Sequence, residues 1–215
     1  PGKPASIAEI SIFRQALDMW SFAPLGGVKM EGGLSDGDLL LGWVFVAIQG
    51  AVPRFRAHVS VSGGAGTGKT TLSYLMQAAT SANAGDLLDS YTEAGVRGSL
   101  SGEARAIFLD EAEPSEDGNG PVERMMDVIR KMATGEGSQR RQGDTGGRTI
   151  SQSAIGAAYL ASIYPLALDD GMATRMAEVR LRPLGQAQGG ADDRLTEAIA
   201  AARVSSPGFL ARAVR

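Results

Sequence analysis

The chain has 215 residues, of which 43% are hydrophobic and 21% charged, and it contains no cysteine. These values are typical of a globular chain with a sizeable core, and they exclude a disordered chain, a disulfide scaffold and a cysteine nucleophile. The single histidine, His58, disfavours a histidine-rich zinc centre and a Ser-His-Asp triad. The net charge of −3 and the pI of about 5.3 disfavour a basic nucleic-acid coat, so contact with nucleic acid requires a local patch.

The longest apolar run, at residues 39–48, predicts a buried helix. It is too short to cross a membrane, which takes about 20 residues. The amino end lacks the basic start and apolar stretch of a secretory signal. We therefore expect a cytoplasmic protein with no membrane partner. The first residue, Pro1, is typical of a piece of a longer chain.

The first part of the chain predicts two helices. Scattered apolar positions are compatible with a short helix within residues 1–25. A second helix is expected to begin at a cap formed by Asp36 or Asp38, to run to about Gln49 and to be ended by Pro53.

The remaining pattern predicts strands that alternate with helices. The predicted strands lie at 57–62, 87–88, 106–110, 154–163 and 179–181, and the predicted helices at 68–80, 92–101, 121–134 and 191–203. This alternation indicates a parallel sheet covered by helices on both faces. His58 is expected to be a structural residue of the first strand.

A glycine-rich motif lies between a predicted strand and a predicted helix. Residues 63–70 read GGAGTGKT and match the phosphate-loop (Walker A) pattern G-x-x-x-x-G-K-[ST] in full. Glycines let backbone N–H groups turn inward and hold phosphate oxygens, which a Cβ would obstruct. Lys69 is expected to reach the β- and γ-phosphates of ATP, and Thr70 to ligate Mg²⁺. The predicted nucleotide-binding residues are Gly63, Gly64, Ala65, Gly66, Thr67, Gly68, Lys69, Thr70 and Thr71. A glycine-rich turn without a ligand is the alternative.

The predicted strand at 106–110 ends in two carboxylates (Walker B), Asp110 and Glu111. In a parallel sheet the carboxyl end of such a strand lies beside the phosphate loop. Asp110 is then expected to hold Mg²⁺ directly or through water, and Glu111 to orient and deprotonate the attacking water. A glutamate at this position favours ATP hydrolysis over phosphoryl transfer to a small acceptor. An ordinary solvated strand end is the alternative.

The two motifs together resemble the additional-strand-catalytic-glutamate branch of P-loop NTPases, which includes the AAA+ proteins. A longer series of segments is similar to the ATPase domain of phage and plasmid primase-helicases, relatives of superfamily-three helicases. The series comprises LLLGWVFVAIQGAV, RFRAHV, the phosphate loop, YTEAGVR, FLDEAE and a small apolar strand, and covers about residues 38–183. The resemblance implies an α/β P-loop fold, with a parallel sheet between helical layers and small helical additions at both ends. We expect a helical N-terminal segment at 1–52, the ATPase core at 53–184 and a C-terminal linker and helix at 185–215.

The resemblance also implies roles for three further residues. Ser162, at the end of the fourth core strand, takes the place of a polar sensor that touches the γ-phosphate or its water. This kind of helicase usually carries an asparagine there, and a buried small residue is the alternative. Arg175 matches an arginine finger that completes a neighbour's site, which requires a ring. Arg97 is a rival candidate for the finger, and an ordinary surface arginine is the alternative for Arg175.

In the related helicases the region corresponding to 137–150 is a β-hairpin that enters a central pore. The resemblance therefore implies that Arg140 and Arg141 contact DNA phosphates, whereas a solvated mobile loop is the alternative. The predicted function is Mg²⁺-dependent ATP hydrolysis that drives a replicative helicase or translocase, a hexameric ring on single-stranded or forked DNA. A switch or assembly ATPase that acts on a protein partner without gripping DNA is the alternative, and a small-molecule kinase is a third possibility.

Overall fold

The computed structural model describes residues 3–23, 34–100, 102–115, 118, 120–135, 138–141, 149–152, 154–183 and 191–213. At 138–141, 149–152, 191 and 192 only the backbone is described. The helices in these ranges are α1 Ile7–Leu17, α2 Asp36–Ala47, α3 Lys69–Thr80, α4 Glu93–Ser99, α5 Pro121–Thr134, α6 Asp170–Ala173 and α7 Ala191–Ala213. The strands are β1 His58–Ser62, β2 Ala84–Leu88, β3 Ala106–Leu109, β4 Ser138–Arg141, β5 Thr149–Gln152, β6 Ala158–Ser162 and β7 Met176–Arg180.

Five parallel strands form the central sheet in the order β2–β3–β6–β1–β7. β1 pairs with β6, with Ser62 opposite Ser162, and it pairs with β7 on its other side, with His58 opposite Met176. β4 and β5 form a separate antiparallel pair. The predicted parallel sheet is therefore confirmed, and β6 lies between β1 and β3.

Helices cover both faces of the sheet. Successive residues of a strand point to opposite sides, so neighbouring strand residues are buried under different helices. Phe108 and Tyr159 belong to a buried cluster that also contains residues of α1, α2, α3 and α7. Ile107 and Leu160 belong to a second cluster, with residues of α4, α5 and α6. Trp43 of α2 packs edge-on against Phe108, with ring centroids 5.7 Å apart. The α/β class, with a parallel sheet between helical layers, is confirmed.

The start of α2 differs from the sequence prediction. Ser35 is the N-cap, and its Oγ accepts a hydrogen bond from the N–H of Asp38 at 3.2 Å. The Asp38 carboxylate accepts in return from the Ser35 N–H at 2.9 Å, which completes a capping box. The predicted cap at Asp36 or Asp38 is therefore wrong, because both residues lie inside the helix. Arg14 of α1 donates to Asp38 and holds the pKa of that carboxyl well below its usual value.

Helix α7 continues beyond the predicted end at residue 203 to Ala213, although Pro207 lies inside it. Phe209 is buried, and its ring lies 5.7 Å from Phe13 and 6.0 Å from Phe45. These contacts bury the end of α7 against α1 and α2. Among the described helices, α7 included, none has both the length and the apolar composition needed to cross a bilayer.

Candidate active site

The glycine-rich motif forms the loop between β1 and α3. Gly66 has a φ of +74° and Gly68 a φ of +78°, in the left-handed region where a side chain costs roughly 1–2 kcal/mol. Thr67 is buried, and its hydroxyl donates to the Gly64 carbonyl at 2.9 Å. Two glycines and one internal hydrogen bond therefore fix the shape of the loop.

The start of α3 gathers groups that suit a phosphate. The N-cap, Gly68, has no side chain to bond the first N–H groups of the helix, which are left without intrahelical partners. Lys69 Nζ donates to the carbonyl oxygens of Gly63 at 2.5 Å and Gly64 at 3.2 Å, so its ammonium lies against the loop. Thr70 is exposed at the next position.

The other predicted nucleotide-binding residues are Ala65, exposed in the loop, and Thr71, half-buried in the first turn of α3. The start of α3 therefore suits the binding of an anion.

Three parallel strands bring their carboxyl ends to the same edge of the sheet as the loop. The N–H of Gly63 donates to the carbonyl of Ser162 at the end of β6, at 3.1 Å. Asp110 is half-buried immediately after β3. Neighbouring strands are about 4.8 Å apart, so β3 lies about 10 Å from β1, with β6 between them. The structure thus brings the phosphate loop, Ser162 and Asp110 together at one edge.

Glu111 has an unusual backbone conformation beside Asp110. Its φ is +52°, in the left-handed region that residues with a side chain seldom adopt, and its side chain is exposed. Its N–H donates to Asp110 Oδ1 at 3.1 Å, and its carbonyl accepts from the Glu113 N–H at 2.8 Å. The Glu113 carboxylate accepts from the backbone N–H of Ile163, just after β6. The turn therefore ties β3 to β6 and leaves the Glu111 carboxylate open to solvent.

The oxygen atoms at this edge fit Mg²⁺. Within the described ranges, no three or more His, Cys, Asp or Glu side chains are grouped to hold a metal ion. Mg²⁺ bound with a nucleotide needs no such group, since it takes one or two protein oxygens together with phosphate and water ligands. The exposed Thr70 hydroxyl and the Asp110 carboxylate are hard oxygen donors of the kind that Mg²⁺ prefers.

Ser162, the predicted sensor, is fully buried at the end of β6. Its hydroxyl donates to the carbonyl of Tyr164 at 2.7 Å, two residues further along the chain. Its backbone carbonyl contacts the phosphate loop through Gly63. Ser162 is thus beside the loop, with its hydroxyl bonded within its own segment.

Arg175 lies at the amino ends of the sheet strands, whereas the phosphate loop lies at their carboxyl ends. Its carbonyl accepts from the N–H of His58 at 2.8 Å, at the amino end of β1. The five residues of β1 separate it from the loop by about 16 Å, which is beyond the reach of an arginine side chain. Its Nη1 donates to the carbonyl of Gly171 at 2.5 Å, and a cavity of about 430 Å³ lined in part by Phe55 lies beside it. The rival Arg97 is 6% exposed and pairs with Glu93.

The hairpin expected between α5 and β6 is present as backbone. Arg140 of β4 lies opposite Ile150 of β5, and Arg141 lies opposite Thr149. The side chains of Arg140 and Arg141, together with residues 142–148 between the strands, lie outside the described residues.

Two buried side chains complete the surroundings of the loop and of β1. Trp20, which sequence reasoning missed, is 4% exposed and donates from Nε1 to the carbonyl of Gly68 at 3.0 Å. Nothing in the local sequence indicates a contact so distant along the chain.

His58 is fully buried, its Nδ1 accepts from the Ala158 N–H at 3.0 Å, and burial lowers its pKa to about 4. This is the structural position expected for His58.

No protein-family model matches the chain, and no curated protein matches it in sequence. Among solved structures, an A-form apo structure of the NrS-1 C-terminal region matches with a TM-score of 0.54 and 12% identity, over 96% of this chain and 46% of that one. Another apo structure of that region matches with a TM-score of 0.51 and 13% identity, over 94% and 46%. An inhibitor-bound JC virus helicase matches with a TM-score of 0.49 and 12% identity, over 96% and 54%.

The chain therefore spans about half the length of the solved structures it matches. The likeness to the NrS-1 region concerns the fold. Together with the five-stranded parallel sheet flanked by helices, it shows an α/β fold like that of P-loop NTPases.

Proposed function

We propose that this chain is the ATPase domain of a DNA helicase or translocase that works as a ring. One observation carries the proposal: the phosphate loop and the Asp110–Glu111 pair lie at the same edge of a parallel sheet, with β6 inserted between β1 and β3. The roughly 10 Å between β1 and β3 leaves room for a triphosphate between loop and carboxylates. Phosphoryl transfer needs this combination of a phosphate cradle and a group that positions the nucleophile.

In the proposed reaction, the N–H groups of the loop and the Lys69 ammonium hold the β- and γ-phosphates. Thr70 and Asp110 would hold Mg²⁺, which when bound neutralises charge on the phosphate oxygens. Glu111 orients a water molecule and accepts its proton while the water oxygen bonds to the γ-phosphorus and the bond to the β-phosphate oxygen breaks. The solvent-exposed carboxylate at the left-handed turn suits this task.

A second chain supplies the arginine finger in this proposal. Arg175 lies about 16 Å from the loop of its own chain, so it serves a phosphate site only across a contact between chains. Its guanidinium would stabilise charge on the transferring phosphoryl group. A contact in which one end of a chain meets the other end of the next is head-to-tail, and such contacts generate a ring when the rotation between neighbours closes.

The β4–β5 hairpin is the proposed DNA contact. It lies between α5 and β6 along the chain, and β6 ends beside the phosphate loop. A change at the loop edge is therefore transmitted along β6 to the base of the hairpin. Arg140 and Arg141 would bind DNA phosphates without reading sequence, and a ring of chains would multiply this small patch.

The test is the steady-state rate of ATP hydrolysis with and without single-stranded DNA, with Lys69→Ala as the blank. We expect DNA to stimulate the wild-type rate, and the Arg140→Ala/Arg141→Ala protein to lose that stimulation. The matched control is Arg194→Ala/Arg203→Ala, which removes two exposed arginines of α7 and the same total charge. The control is expected to keep the stimulation.

Two outcomes would contradict the proposal. Hydrolysis by an oligomer that is indifferent to DNA would favour the alternative, an assembly or switch ATPase that acts on a protein partner. Absence of hydrolysis in an oligomer would contradict the roles of Glu111 and Arg175.

A further inference from the structure

The segment that follows α1, residues 18–23, lies against the phosphate loop, and we call it the strap. Trp20 is its centre: the indole is 4% exposed, and Nε1 donates to the carbonyl oxygen of Gly68 at 3.0 Å. Gly68 is the last loop residue before α3, and its φ of +78° is a conformation that only glycine adopts readily. The strap thus contacts the loop at the point where the loop becomes a helix.

This hydrogen bond acts on one peptide group of the loop. The Gly68 carbonyl also accepts the first helical bond of α3, from the N–H of Leu72 at 2.9 Å, and a carbonyl oxygen has lone pairs for both. The peptide unit that joins Gly68 to Lys69 is planar, so fixing the direction of its oxygen also fixes the direction of its N–H. That N–H, on Lys69, is among the donors at the start of α3 that have no partner within the helix. Trp20 therefore orients a donor of the proposed phosphate site without touching the ligand.

The strap is also bonded to the edge of the sheet beside β7. The Ala23 N–H donates to the Arg180 carbonyl at 2.7 Å, and the Arg182 N–H donates to the Ser21 carbonyl at 2.8 Å. These two bonds flank an isolated antiparallel bridge between Phe22 and Leu181. The strap therefore extends the sheet locally at its β7 edge.

Leu181 connects this bridge to the first residues of the loop. Its N–H donates to the Ser62 carbonyl at 2.7 Å, directly before the glycine motif. A Cβ added at Gly63 would lie 3.0 Å from the Cβ of Leu181, so the two backbones are in close approach. The strap thus contacts the end of the loop directly through Trp20, and it is connected to the start of the loop indirectly through its bridge to Leu181.

The other end of the strap continues directly from α1. The Trp20 N–H donates to the Leu17 carbonyl at 3.2 Å, so the strap has no free linker before Trp20. Leu17 and Phe13 of α1 are buried in the same cluster as Trp20. Gly68 is therefore connected to α1 through the single residue Trp20.

We propose that Trp20 is a positioning residue of the phosphate loop and that the strap couples nucleotide binding to the docking of α1. The inference rests on the proposed function, since it takes a nucleoside triphosphate as the ligand of the loop. The coupling is reciprocal: if the docked strap favours the loop conformation that binds phosphate, the bound nucleotide favours the docked strap by the same factor. The binding state of the loop is thereby communicated to the amino-terminal part of the chain.

The two tryptophans of the chain provide the test. Trp43 donates from Nε1 to the Ala57 carbonyl at 3.1 Å, at the end of β1 away from the loop. The Trp43→Phe protein leaves Trp20 as the only indole, and Trp20→Phe is the matched control. Each is titrated with Mg·ATP while binding is measured independently by calorimetry. We expect the emission of Trp43→Phe to change in step with the calorimetric binding curve, and the emission of Trp20→Phe to stay constant.

Trp20→Phe removes the hydrogen bond to Gly68. This variant is expected to bind Mg·ATP with a Kd about fivefold higher, because one ordinary hydrogen bond contributes a free energy of that size. Calorimetric binding without an emission change in Trp43→Phe would overturn the inference and leave the proposed function standing. Absence of calorimetric binding by the wild-type chain would overturn the proposed function, and the inference with it.

Hydrogen exchange tests the coupling in two steps. The first measurement uses the unsubstituted chain, and the second compares it with Trp20→Phe. We expect saturating Mg·ATP to slow amide exchange in the strap and in α1, and we expect Trp20→Phe to lose the slowing in α1. Equal slowing in α1 with and without Trp20 would overturn the inference. If Trp20→Phe does not fold, the wild-type measurement decides alone, since unchanged exchange in the strap at saturating Mg·ATP would contradict the proposal.

Discussion

The carboxylate of Glu111 has its position because of a backbone conformation that disfavours a side chain. A left-handed residue with a Cβ costs roughly 1–2 kcal/mol, yet the turn persists because its neighbours hold it. The Glu113 N–H donates to the Glu111 carbonyl, and the Glu113 carboxylate accepts from Ile163 after β6. Strain of this kind concentrates at functional sites, and here it places a carboxylate at the same edge of the sheet as the loop.

Replacing Glu111 with glutamine tests its role as the base. The Glu111→Gln protein is expected to bind Mg·ATP with an unchanged Kd, while kcat falls by about 10² to 10⁴-fold because the amide accepts no proton. Steady-state hydrolysis and calorimetry measure the two quantities. Glu103→Gln, which alters an exposed carboxylate before β3 at the other edge of the sheet, is the control and should hydrolyse ATP like the wild type. A Glu111→Gln protein with wild-type turnover would contradict the assignment.

The free energy of unfolding is expected to depend on pH because the pKa of His58 differs between the folded and the unfolded chain. The unfolded residue binds a proton near pH 6.5, whereas burial lowers the pKa of the folded residue to about 4. Between these values the unfolded chain binds more protons, so the stability present above pH 6.5 is lost as the pH falls toward 4. We expect urea unfolding to show a loss of about 2 kcal/mol between pH 7 and pH 5. His58 is the only histidine, so His58→Asn should flatten this slope, and an unchanged slope in that variant would refute the explanation.

The residues of the candidate site were predictable because they lie in short contiguous motifs. The phosphate loop and the Asp110–Glu111 pair each carry their chemistry within a few neighbouring positions. Contacts between distant segments were not predictable, because they depend on how the helices pack on the sheet. The hydrogen bond from Trp20 to Gly68 is the clearest case.

At the scale of helices and strands, periodic hydrophobicity identified the elements, while burial set their ends. The sequence prediction ends the last helix at residue 203, whereas α7 extends to Ala213 with Pro207 inside it, although proline removes a helical hydrogen bond. In the structure α7 continues, since Phe209 is buried against Phe13 and Phe45. Packing thus overrides local propensity at this end of the chain. The four-residue α6 was missed because one turn carries no periodic signal.

Two glycines should respond to alanine in opposite directions. Gly42 is exposed in the middle of α2, and an added Cβ would meet nothing within 4 Å, so Gly42→Ala is expected to stabilise the fold by about 1 kcal/mol. Gly156, before β6, has a φ of +153°, and its Cβ would lie 1.9 Å from the Arg105 carbonyl oxygen. Gly156→Ala is expected to destabilise by at least about 2 kcal/mol. Urea unfolding measures both, and a change of the same sign in the two variants would contradict the local geometry.

At the scale of the whole molecule, the two edges of the sheet carry different parts of the proposed machinery. The phosphate loop, Asp110 and Glu111 lie at the carboxyl edge, and Arg175 lies at the amino edge. Each edge also exposes a large apolar side chain: Tyr164 after β6 is 67% exposed, and Phe55 beside the Arg175 cavity is 64% exposed. Under the proposed function, one chain carries two halves of a site that a head-to-tail neighbour completes.

Mixing two inactive proteins tests this division. Glu111→Gln leaves the finger intact but removes the base, whereas Arg175→Ala leaves the base intact but removes the finger. In a 1:1 mixture that assembles at random, about one contact in four joins an intact site to an intact finger, so we expect about a quarter of wild-type ATP turnover to return. Assayed alone, Arg175→Lys, which keeps the charge without the planar guanidinium, should hydrolyse ATP little faster than Arg175→Ala. If Arg175 supported only the fold of its own chain, the mixture would show no more than the average of the two separate rates, and the head-to-tail arrangement would be refuted.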